Sequence, residues 1–80
     1  MSKEEIYEKL NTIFRDIFDD EDIVVTETTN SDDIEDWDSL EHINLISAVE
    51  KEFGVKFNIA QVTGMQNVGE MVDIIIDKLG

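Results

Sequence analysis

Apolar side chains recur at helical spacing in three stretches of this chain. Near the start, Ile6, Leu10, Ile13, Phe14 and Ile17 fall on one stripe, with mostly charged or polar residues between them. Ser2, with Glu5 three residues on, forms a capping-box pattern that would start this helix. In the middle, His42, Leu45, Ile46, Val49 and Phe53 share one face of a second helix. Asp38 is its N-cap, Glu41 stands in the box position, and Gly54 ends it as a glycine just past the last turn. Toward the end, Val68, Met71, Val72, Ile75 and Leu79 form the stripe of a helix starting near Asn67, with Glu70 in the box position and Lys78 and Gly80 suited to its close. Residues 59–65 allow one short helix, with Val62 as its inward residue.

The first two helices are joined by a long connection, about Asp19 to Trp37. Asp19 to Asp22 form a solvated charge run, Ile23 to Thr26 favour extended backbone, and Glu27 to Asp33 read as loop. An unstructured connection of this length needs fastening in a compact domain. Ile23, Val25, Ile34 and Trp37 are its expected pins to the core. A two-stranded pairing of this segment with residues 55–59 is the weaker alternative, because neither segment has a further strand neighbour. The pattern therefore predicts an all-α fold: a small bundle of three long helices plus one short helix, with a long loop between helices one and two.

Composition narrows the class. The 80 residues suit a single domain spanning 1–80, with a thin core. A net charge of −14 argues against nucleic acid and anionic membranes, whose phosphates call for Lys and Arg. It favours basic protein partners reached by salt-sensitive steering. There is no cysteine, hence no disulfide, no thiolate metal site and no thiol nucleophile. No apolar run approaches a membrane span, and the charged start MSKEEIYEKL does not resemble a secretion signal. A cytoplasmic location and a monomeric state are expected. No metal site is expected either: DDEDIVVTETTN lacks the central glycine and terminal glutamate of a calcium loop.

The candidate chemistry centres on EDWDSLEHINLI, where Ser39 is the only hydroxyl. If Asp38 caps the second helix, Ser39 is its first residue, displayed at the positive end of the helix, where a phosphate is favoured. As a catalytic nucleophile Ser39 would need an oriented base. His42 is the only histidine and follows three residues later, but no nucleophile-elbow motif or glycine-rich loop accompanies it. Taken alone, the bland reading of Ser39 is a polar residue in the first turn of a helix. His42, on the apolar face just below Ser39, reads as a half-buried spacer ahead of any chemical role. Leu40 is expected to point elsewhere, with no apolar company on its own side.

Asp38-Ser39-Leu40, followed by EHINLISAVEKEFGV within an acidic chain of this length, resembles the acyl carrier protein family. The resemblance covers essentially the whole chain. It implies a 4′-phosphopantetheine arm, attached to Ser39 from coenzyme A by a phosphopantetheinyl transferase, and acyl groups carried on the arm as thioesters. No residue is then catalytic. Asp36, Asp38, Leu40 and Glu41 would meet basic docking patches on acyl-transferring or condensing enzymes. His42, Ile43, Ile46, Ile59 and Val62 would line a pocket for the acyl chain. The chain departs from the fatty-acid-synthesis carriers in three places. Asp36-Trp37 replaces a Gly-Ala approach, Asn44 and Lys51 stand where glutamate is usual, and Asn58 stands near an expected proline. These departures point to a specialised carrier rather than the housekeeping one. An aminoacyl or peptidyl carrier, a small acidic helical adaptor for a basic protein and a hydrolase using Ser39 with His42 are the rival readings.

Overall fold

Four short polar side chains start four helices, each accepting a backbone amide three residues on. Ser2 Oγ accepts from the Glu5 amide at 3.2 Å, Asp38 Oδ1 from Glu41 at 2.8 Å, Asn58 Oδ1 from Gln61 at 2.7 Å and Asn67 Oδ1 from Glu70 at 2.9 Å. The computed structural model describes residues 1–80, with α1 at Lys3–Ile17, α2 at Ser39–Phe53, α3 at Ile59–Gly64 and α4 at Val68–Leu79. The expected all-α class is the observed one.

The capping boxes differ from expectation. Only α3 has a reciprocal box, with Gln61 Oε1 accepting from the Asn58 amide at 3.0 Å. At α2, Glu41 turns outward and accepts from Asn44 Nδ2, and at α4, Glu70 accepts from the Gln66 amide, one residue before the cap. The ends of α1 and α2 share one device. The amide of Asp20 reaches Arg15 O and the amide of Val55 reaches Glu50 O, each across a left-handed residue, Asp19 at φ 50° and Gly54 at φ 67°. Asp tolerates that backbone region better than most side chains, and glycine enters it freely.

The stripes of α1, α2 and α4 meet in one cluster of 14 buried residues, closed by Phe18, Val25 and Val55 from outside the helices. Ile6, Leu10, Phe14, Leu45, Val49, Val68, Val72 and Ile75 are fully buried. Leu79 departs from its predicted place on the α4 stripe. It is 41% exposed, because the stripe runs past the core after Ile75.

The long loop forms no strand and is held by side chains and carbonyls. Val25 is buried, and Ile23, Ile34 and Trp37 pack half-buried against the core. Asn11 Oδ1 accepts from the Val25 amide, and Arg15 Nε donates to Ile23 O, both at 2.7 Å. The loop also serves α4. Thr29 O and Glu27 O accept from the amides of Val68 and Gly69 at 2.8 and 2.9 Å, supplying partners to a helix start that would otherwise lack them. At Gly69 this approach excludes a side chain, since a Cβ would stand 2.6 Å from the Glu27 carbonyl oxygen.

Candidate functional site

Ser39 is the first residue of α2 and is exposed. Its placement follows from Asp38. The carboxylate takes the Glu41 amide while the Asp38 carbonyl takes the His42 amide at 2.8 Å, which fixes the first turn. The amides of Ser39 and Leu40 have no protein acceptor. Two free N–H groups, the positive end of a 15-residue helix and an accessible hydroxyl thus coincide. Asp36 and Asp38, both exposed, oppose negative charge there.

Beside Ser39 lies a groove of about 790 Å³. Trp37, Ile43, Phe57, Ile59, Val62, Met65 and Met71 form its apolar lining, and Asp38, Ser39, His42, Thr63, Gln66 and Asn67 are among its polar wall. Such a size and mixture suit a small organic group held by apolar contact and oriented by a few polar atoms.

Four of the five residues expected at a pocket, His42, Ile43, Ile59 and Val62, stand on this groove. Ile46 does not. One turn below His42 it is already inside the core, 5% exposed. Leu40, expected to stand alone, has company: it is 67% exposed and Ile43, three residues on, is 60% exposed, so the two adjoin on the outer face of α2. Ile59, at 82%, adds a third exposed apolar side chain at the start of α3. Glu41 is half-buried beside them.

His42 is half-buried and is hydrogen-bonded at both ring nitrogens. Trp37 Nε1–H donates to His42 Nδ1 at 3.0 Å, and His42 Nε2 lies 2.9 Å from Val62 O. The indole nitrogen can only donate, so Nδ1 accepts and Nε2 carries the proton that Val62 O receives. Both nitrogens are therefore engaged away from Ser39, which removes His42 as a base for it. The rings of Trp37 and His42 stack at 5.9 Å, and Trp37 stands edge-on to Phe14 at 5.2 Å. Phe57, Met65 and Met71 were not foreseen as lining. The Trp37–His42 bond had one available signal: a half-buried indole N–H needs an acceptor.

An exposed hydroxyl opening a stiff helix, beside a half-apolar groove and with no oriented base, suits the bearer of a tethered group better than a catalytic nucleophile. A family profile described as "Phosphopantetheine attachment site" matches residues 8–75. An acyl carrier protein of Petrotoga mobilis is 36% identical over 80 residues, covering 99% of this chain and 93% of that protein. One of Thermotoga maritima is 35% identical over 79 residues, covering 99% and 98%. The solution structure of a holo acyl carrier protein from Geobacter metallireducens superposes with a TM-score of 0.85 at 41% identity, covering 91% of this chain and 84% of that one.

The chain belongs to the phosphopantetheine-binding acyl carrier protein family. It is a carrier, not an enzyme, and holds acyl groups on a covalent 4′-phosphopantetheine arm. Its family works with phosphopantetheinyl transferase and with acyl-handling enzymes. None of its helices is long and apolar enough to cross a membrane.

Proposed function

We propose that Ser39 bears the arm, and that the chain is a monomeric, cytoplasmic carrier domain serving a dedicated acyl-transferring or condensing enzyme. The observation that carries this reading is the exposed Ser39 hydroxyl at the first position of α2, at the mouth of the groove. In the transfer, Ser39 Oγ attacks the phosphorus that bears the pantetheine limb of coenzyme A. The new P–O bond would replace the bond from that phosphorus to the oxygen bridging the pyrophosphate, adenosine 3′,5′-bisphosphate would leave with that oxygen, and the serine proton would pass to the transferase. The free amides of Ser39 and Leu40 would be available to donate to the phosphodiester. The arm supplies the thiol that the chain lacks.

The groove would shelter the start of an acyl chain against Ile43, Ile59 and Val62. Tethering raises the acyl group's effective concentration at a partner's active site. Asp36, Asp38 and Glu41 would steer a basic enzyme surface toward Leu40, Ile43 and Ile59. Such charge pairing favours fast encounter over tight binding, which suits a carrier that visits and leaves. Asn44 and Lys51, both exposed, reduce the acidity of this face and support a dedicated partner.

The test is an intact mass after incubation with coenzyme A, magnesium and a promiscuous phosphopantetheinyl transferase. One added arm, absent in Ser39→Ala, is the expected result. No addition while a control carrier is modified overturns the assignment and favours an acidic adaptor.

A further inference from the structure

We propose that His42 is a positioning residue, a hydrogen-bonded latch that holds α3 against α2 and thereby fixes the width of the groove beside Ser39. The physics of α3 makes a latch necessary. Its six residues include none that is buried, so little apolar area holds it in place. Its reciprocal capping box is internal to the helix and its own cap, and ties it to nothing else.

The far end of α3 is where the tie is made. The Val62 carbonyl is among the last of the helix, and the amide four residues on, that of Gln66, is committed to the Glu70 carboxylate. His42 Nε2–H supplies the partner at 2.9 Å. The imidazole is held in turn by Trp37 at 3.0 Å, and Trp37 is fixed edge-on to fully buried Phe14. A continuous chain of contacts thus runs from the core of α1, through the loop and α2, to α3. Trp37, His42 and Val62 all line the groove, so the latch spans the space it sets. Its meaning for cargo rests on the assignment of the arm to Ser39, whereas its existence does not.

The tautomer is the first test, and it needs no variant. Nitrogen-15 spectra of the imidazole should place the proton on Nε2 and leave Nδ1 bare; a proton on Nδ1 overturns the latch. The second test is amide hydrogen exchange in the full chain. His42→Phe keeps a ring and loses both bonds. The amides of α3, Val62 among them, should then exchange about tenfold faster, the order expected for one lost hydrogen bond, while core amides of α1 and α4 hold. His42→Gln can accept from Trp37 and donate to Val62 O through its amide, and should restore slow exchange. Unchanged α3 exchange in His42→Phe, or equal acceleration in every helix, overturns the proposal. If His42→Phe does not fold, a folded His42→Gln whose α3 exchanges like an unlatched helix overturns it instead. Failure of the arm to attach would remove the Ser39 assignment and leave these readings standing. Normal attachment with α3 exchange unaltered in His42→Phe would remove the latch alone.

Discussion

α3 and α4 follow one another in the chain and are held by different forces. α4 buries Val68, Met71, Val72 and Ile75, and its first amides are taken by loop carbonyls. α3 buries nothing fully; a capping box closes its start, and it is held to the rest by half-buried Val62, with Met65 at its end, and by one imidazole. α1, α2 and α4 share the core, while the helix beside the groove is fastened by bonds that can open without unfolding the rest. Elements fastened this way sit at the low-stability end of a structure.

The largest effect should separate these two regions most clearly. Phe14 is fully buried and touches Phe18 and Trp37 at ring distances of 5.9 and 5.2 Å. Phe14→Ala should cost about 3–5 kcal/mol, a large share of what so small a domain possesses. Ile59→Ala, at the exposed start of α3, should stay within about 0.5 kcal/mol. Urea midpoints followed by circular dichroism measure both. Equal losses would mean that α3 belongs to the core after all.

Two glycines sharpen the contrast at a smaller scale. Gly69→Ala gains about 1 kcal/mol of helix propensity, but its Cβ meets backbone at 2.6 Å. Overpacking against an unyielding neighbour costs about 1–3 kcal/mol, and the 2.9 Å bond from the Gly69 amide to Glu27 O is strained as well. The clash should win, with a net loss of about 1–2 kcal/mol, because the obstacle is a carbonyl rather than a flexible side-chain end. Gly64, the last residue of α3, has nothing within 4 Å of the same position. Gly64→Ala should therefore stabilise α3 by about 0.4–1 kcal/mol. Thermal melts of the two variants should move in opposite directions, and a gain at Gly69 would mean that the loop does not fasten α4.

The same division marks what could be read before the structure was known. The stripes of α1, α2 and α4 were legible because burial imposes a 3.6-residue period, and Ser39 was legible because its neighbours carry a motif. The Asn58–Gln61 box was also in plain view, as a cap residue followed by a glutamine three positions on. The groove was only partly legible. Phe57 before α3, Met65 after it and Met71 on α4 meet only in the tertiary fold, which no periodicity encodes. The isolation assigned to Leu40 was an error of local geometry, since Ile43 lies one helical step away. The Trp37–His42–Val62 chain crosses three elements, so composition could at most have shown that a sole tryptophan needed an acceptor.

The firmly held side also has a pH dependence of its own. Tyr7, the sole tyrosine, is half-buried on α1. Burial pushes its phenol above the ordinary value of 10.0, and the carboxylates of Glu27 in the loop and Asp73 on α4 push it further the same way. Each cause disfavours the phenolate, so the folded chain releases this proton at higher pH than the unfolded chain does. The stability that Tyr7 confers is therefore complete below the ordinary phenol range and is lost as pH rises through the raised folded value. Urea midpoints should fall on the alkaline side in the native chain, and the fall should be smaller in Tyr7→Phe, which keeps the ring and removes the proton. Absorbance at the phenolate band should titrate later in native than in denaturing solution. Because Glu27 is also the residue whose carbonyl receives the Gly69 amide, Gly69→Ala should disturb the same junction and bring the phenol back toward its ordinary range. A Tyr7 titration that Gly69→Ala leaves untouched would mean that loop and α4 act on α1 independently, not as one fastened unit.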